Sequence, residues 1–255
     1  MVVNLVAGAV IGFLLGPTGI GGGALLTPFL LLVAHLHPAV AIGTDLVFSF
    51  VVKSASTVQH RRQRTVWLLP AFYISLGSVP ASLLAATFIV GHVHQPQVER
   101  VLPRVIGGTL MVVACVVIAR AAQWLQKPAE PAQERWPAWW QNVLLGILMG
   151  LLVGATSIGS GTLLVSTMLL LFSLPPAHLV GLNVLVGAVL AFFPAMTYAW
   201  HGMVAWQLLG TLLIGALPGA VLGSRLVTRV PTRYVQMLLG VIIFLAGARL
   251  LMGVV

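Results

Sequence analysis

Charge is what this sequence has least of. Lysine and arginine number 13, aspartate and glutamate only four, and 7% of the 255 residues are charged while 59% are hydrophobic. A water-soluble chain carries about 25% charged residues to cover its surface. With mean hydropathy at +1.06, the surrounding solvent must be largely lipid. Cysteine is nearly absent too: Cys115 alone excludes an intrachain disulfide and a thiolate metal cluster, and its place in the apolar run 110–119 suggests a small packing residue. His92 and His94 stand two apart with no Glu or Cys to complete a ligand set, so no metal site is expected. No HExxH element and no nucleophile–base arrangement appears, which argues against an enzyme. Met1 to Leu15 lacks a basic n-region and is read as part of the membrane core rather than as a signal peptide.

The formal net charge of +9 would suit a nucleic-acid binder, but its distribution does not. The basic residues cluster at the ends of apolar stretches, where membrane topology places them, instead of striping one face of a soluble helix. No nucleic-acid partner is expected; lipid is.

Apolar segments fall at 3–16, 23–35, 39–56, 67–90, 102–123, 139–153, 161–173, 177–199, 206–223 and 234–254. They lack the period-2 alternation of barrel strands, which predicts an all-α polytopic membrane protein with 8–10 helical membrane segments. The stretch from Trp124 to Trp140 contains three prolines and two of the four acids and divides the chain. The expected plan is a first transmembrane repeat at 1–123, a cytoplasmic linker at 124–138 and a second repeat at 139–255. All seven tryptophans lie near segment ends, the pattern of an interfacial aromatic belt.

The division into repeats rests on an internal match. GPTGIGGGALL at 16–26 aligns with GATSIGSGTLL at 154–164 at an offset of 138, with seven of eleven positions identical. The same offset pairs Pro38 with Pro176, Gly43 with Gly181, Asp45 with Asn183 and Pro80 with Pro218. A single helix over 3–35 would be about 50 Å long against a hydrocarbon core of about 30 Å. Two arms that enter and return at the glycines make each half cross an odd number of times, so the halves become inverted. With the 57–66 loop cytoplasmic, that arrangement puts ten basic residues inside and three outside, against eight and five for the single-helix alternative.

The glycine-rich elements lack the terminal Lys-Ser or Lys-Thr of a phosphate-binding loop and the preceding strand, so neither a nucleotide nor any other cofactor is expected. A helix break at membrane depth is the more physical reading. It would aim backbone N–H groups and the positive helix ends at a common point, forming an anion site. Candidate substrate-binding residues are Thr18, Gly19, Gly21, Gly22, Gly23 and Thr27 in the first half. In the second half they are Ser157, Gly159, Ser160, Gly161, Thr162 and Asn183, with Ser166 a further hydroxyl. Glycines that merely allow close helix packing are the alternative. Asp45 is the only carboxylate inside an apolar segment, and its counterpart Asn183 keeps the hydrogen bonding without the charge. Asp45 is therefore a candidate proton-coupling or gating residue; a local hydrogen-bonding role near an interface is the alternative. Lys53, further along the same segment, is expected to snorkel toward the basic loop.

These residues resemble the sulfite exporter TauE/SafE family, also called the TSUP group of anion permeases. The resemblance is carried by Gly16 to Gly23 with Leu26, Thr27 and Pro28, and by Pro38, Gly43, Thr44 and Asp45. In the second half it continues through Gly150, Gly154, Gly159, Ser160, Gly161, Gly181 and Asn183 to the run from Leu217 to Gly223. It implies a secondary transporter of small sulfur-containing anions, such as sulfite or organosulfonates, in the bacterial inner membrane. Proton coupling and assembly as a homo-oligomer are compatible with it. Ser157 and Ser160 stand where the first half has glycines, so the two half-sites need not contribute equally. A transporter of an unrelated small anion and a non-transporting membrane scaffold are the competing readings.

Overall fold

A computed structural model describes residues 2–18, 22–62, 68–122, 138–171, 176–226 and 232–253. They form ten helices: α1 (Val2–Thr18), α2 (Gly23–Leu32), α3 (Pro38–Arg62), α4 (Leu68–His92), α5 (Pro96–Ala121), α6 (Trp139–Thr156), α7 (Thr162–Leu171), α8 (Pro176–Trp200), α9 (Trp206–Leu226) and α10 (Thr232–Leu251). Six contain spans long and apolar enough to cross a membrane, which makes the chain a multi-pass all-α membrane protein. The expected linker, apart from Ala138, lies outside the described residues.

Local chemistry sets the helix ends. Proline is the first residue of α3, α5 and α8, where its missing N–H would have had no helical partner. The Gln141 side chain accepts a hydrogen bond from the Ala138 N–H at 3.1 Å and caps α6. At the far end of α6, Ser157 adopts φ 60° and stops the helix. α5 starts six residues before the apolar run does, because Pro96 and Glu99 suit a first turn better than apolar residues would.

α2 and α7 have ten residues each, about 15 Å of rise, roughly half of a hydrocarbon core. α3 and α8, with 25 residues each, span it fully at about 38 Å. α3 and α8 cross in opposite directions: Gly43 meets Tyr198, Phe50 stacks near Phe192 and Lys53 meets Gly187. α5 and α10 are likewise antiparallel, with Gly107 beside Leu250 and Ile118 beside Gly240.

Two further seams repeat each other. Gly146, Gly150 and Gly154 of α6 lie against Ile74, Ser78 and Ser82 of α4, while Gly8 and Gly12 of α1 lie against Leu212 and Ala216 of α9. Gly77 faces Val143 in the first seam; Gly215 faces Leu5 in the second. Each of these α1–α9 contacts sits 138 residues from an α4–α6 contact. Lipid provides no hydrophobic drive for helix association, so close backbone approach through small residues holds such seams.

Cys115 departs from expectation. It is exposed, on the outer face of α5 with Val112 and Val105, so it faces lipid instead of packing inside.

Candidate functional site

The start of α2 and the break between α6 and α7 meet in the interior. Gly23, the first residue of α2, lies directly against the Ser157 carbonyl at the end of α6; a Cβ there would overlap that oxygen and come within 3.0 Å of Asp45 Oδ2. Asp45 is completely buried in α3 (0% exposed). Thr27 Oγ1 donates to its Oδ2 at 2.6 Å, and Ser49 Oγ approaches its Oδ1 at 3.4 Å. Asp45 is therefore enclosed within the protein, with both carboxylate oxygens facing hydroxyls. Thr27 spends its hydroxyl proton on Asp45, so in this arrangement it serves the carboxylate and offers nothing to an anion.

Lys53 is the residue that sequence reasoning misplaced. It does not snorkel: it is 7% exposed, and its ammonium donates to Ser160 Oγ at the second helix break. Two helical turns separate it from Asp45, about 12 Å along α3. Its stem crosses α8 over Gly187, where any Cβ would lie 2.9 Å from Lys53 Cδ and 3.0 Å from Cε. Lys53 makes no contact ion pair with a carboxylate among the described residues; Asp45 acts on it only through the intervening space. The usable signal was the offset: position 191, which corresponds to Lys53, is Ala191, and position 187, which corresponds to Ser49, is Gly187.

α7 begins beside this ammonium. Leu164 N–H donates to Gly159 O at 3.3 Å and Val165 N–H to Gly161 O at 3.2 Å, which leaves the preceding N–H groups at the amino end of the helix. Gly159 holds φ 109°, a conformation that residues with a Cβ rarely adopt. Ser160, Gly161 and Thr162 are buried around it. Asn183 is 4% exposed, and its Oδ1 has no hydrogen-bond partner. It sits one turn from Gly187 on the same face of α8. Ser166 accepts from Arg120 Nη1 at 3.4 Å, so two cationic side chains reach hydroxyls of the second break. Gly22 is buried beside Ser49 and Phe48. Gly19, Gly21 and the Thr18 side chain lie outside the described residues.

Among the cavities lined by described residues, two border the bundle. The larger, about 540 Å³ between α4, α5 and α6, is lined by apolar side chains and Gln97 and offers an anion nothing. The smaller, about 280 Å³, lies between α3 and α8 and includes Ser54, Thr57 and Ala188. Phe50 and Phe192, with ring centroids 5.0 Å apart, line it one turn from Lys53.

The family described as Sulfite exporter TauE/SafE matches residues 4–250, nearly the whole chain. This chain belongs to that family. The "Probable membrane transporter protein YjnA" of Bacillus subtilis (strain 168) is 34% identical over 259 residues, covering 97% of this chain and 98% of that one. A "Probable membrane transporter protein" of Xylella fastidiosa (strain Temecula1 / ATCC 700964) is 28% identical over 230 residues, covering 90% and 85%. No solved structure gives a significant match. The family's description and the names of these relatives agree on membrane transport. The two halves differ at Lys53 and Asp45 above all, where the second half has Ala191 and Asn183.

Proposed function

We propose that this TauE/SafE protein is a secondary transporter that carries small sulfur-containing anions, sulfite or short organosulfonates, across the bacterial inner membrane. The observation that carries the reading is the Lys53 ammonium: buried at the centre of α3, bonded to a neutral hydroxyl, and set beside the amino end of α7. A buried cation with no counter-ion in contact is costly, and a bound anion lowers that cost. The second break would supply backbone N–H groups and the Ser160 and Thr162 hydroxyls. The cleft between α3 and α8 would be the approach, and the Phe50–Phe192 ring pair a gate at its inner end.

Alternating access follows if the halves at 1–123 and 139–255 are inverted repeats joined by a cytoplasmic linker at 124–138. The antiparallel packing of α3 on α8 and of α5 on α10 supports this. Helices related by an axis along the membrane normal would run parallel; antiparallel partners call for an axis in the membrane plane. Removing Lys53 from the loop charges leaves the basic excess on the same side, so the orientation argument stands. Asp45 would couple anion loading to a cation, the proton being the simplest.

Reconstitution in liposomes tests the proposal. Counterflow of radiolabelled sulfite or a short organosulfonate is expected, with sulfate and thiosulfate as competitors. Folded protein that moves none of these anions would favour the scaffold alternative.

A further inference from the structure

The geometry points to a second site, distinct from the anion's: a sodium-ion site formed by Asp45, Thr27, Ser49 and Ser157 at the contact between the two helix breaks. Its role rests on the transport reading; its existence does not.

The oxygens are gathered from three segments, α3, α2 and the end of α6. Asp45 contributes both carboxylate oxygens from α3, and Thr27 Oγ1 lies 2.6 Å from one of them. Ser49 Oγ lies 3.4 Å from the other. The Ser157 carbonyl and Asp45 Oδ2 face each other across the volume that a methyl group on Gly23 would fill. Among the described residues, no backbone N–H donates to that carbonyl. Ser157 is 2% exposed and faces the Asp45 carboxyl, yet its Oγ completes no hydrogen bond. A buried hydroxyl with unused lone pairs is expensive unless something takes them.

The donor set has the chemistry of a hard monovalent cation. All the ligands are oxygen, and one formal negative charge is present. Calcium would require several carboxylates, and magnesium keeps its waters and octahedral geometry. Thr27 and Ser49 now donate toward Asp45, but a hydroxyl carries two lone pairs and rotates to present them to a cation. The carboxyl end of α6 adds negative partial charge at Ser157. The amino end of α2 opposes it at Gly23, so the two offset and the full charge of Asp45 decides the sign.

Charge balance links the two sites. The charge of Asp45 reaches Lys53, so an anion arriving alone at Lys53 is repelled by the carboxylate. A sodium ion at Asp45 cancels that repulsion, and favourable coupling of this kind raises both affinities by the same factor. Anion and sodium would then move in the same direction.

The test is saturable binding of ²²Na⁺ to the purified full-length protein at fixed pH, with N-methylglucamine replacing sodium in controls. Binding displaced by Na⁺ but not by K⁺ is expected. Asp45→Asn should abolish it, and the shape-conserving Thr27→Val should weaken it about tenfold or more. Lys53→Met should retain it in the absence of anion. No saturable binding to native protein, or native-like binding in both D45N and T27V, would overturn the sodium site. Anion uptake driven by a pH gradient and indifferent to sodium would likewise overturn sodium coupling, while leaving the anion reading intact. Sodium binding without anion flux under any gradient would sink the transport reading instead.

Discussion

Replacing Lys53 by methionine keeps a long unbranched stem and deletes only the charge and its donors. The ammonium is buried and its one hydrogen-bonding neighbour, Ser160 Oγ, is neutral. If the substrate anion shares that ammonium, the variant loses a charge-assisted hydrogen bond, worth about 1.5–3 kcal/mol. That loss converts to a roughly 10- to 140-fold rise in the anion dissociation constant. Stability without anion should change little, because removing the buried ammonium relieves its desolvation but leaves the Asp45 carboxylate without the cation that acts on it. Two measurements are needed: the KM for labelled sulfite in proteoliposomes, and the shift of the unfolding midpoint with added anion, which grows as the logarithm of 1 + [L]/Kd. Gly187→Ala supplies the converse perturbation. It retains the charge but places a Cβ where the Lys53 ammonium runs, so it should shift the ammonium and raise KM in the same direction. Native KM and native anion stabilisation in K53M would refute the assignment of the anion to Lys53, whatever G187A did.

Gly159→Val should abolish anion binding in protein that still inserts, because φ 109° is unfavourable for any β-branched residue; unchanged affinity would return the second glycine segment to a purely packing role. Single cysteines placed in a Cys115→Ala background should react from the cytoplasmic side within 124–138 and from the external side at both chain ends. Labelling of the linker from outside would reject the proposed orientation.

What could be read in advance, and what could not, divides along physical lines. Apolar length and the 138-residue offset located ten helices, because lipid demands long runs of one chemistry and duplication copies them. The broken elements were legible for the same reason: α2 and α7 follow glycine runs that no continuous helix of tolerable length would contain. The placement of Lys53 failed because snorkelling is a statement about distance to water, and the direction of a side chain around a helix depends on its neighbours. Only the packing of α8 reveals that Gly187 opens a path inward. Cys115 failed in the same way, since nothing in the run 110–119 tells which face of α5 meets lipid. Asp45 stood out by its charge, but the hydroxyls around it come from residues 27, 49 and 157, which no local pattern connects.

The crossed seams bear on how such a chain reaches its final form. α1 finds its groove on α9, some two hundred residues later in synthesis, and α4 finds its own on α6. The earliest helix to emerge must therefore wait in the bilayer, its glycine face uncovered, until nearly the whole polypeptide has been inserted. A nascent chain halted after α5 would have neither seam. Two separately synthesised halves could assemble, but each would bury its small-residue faces only by finding the other.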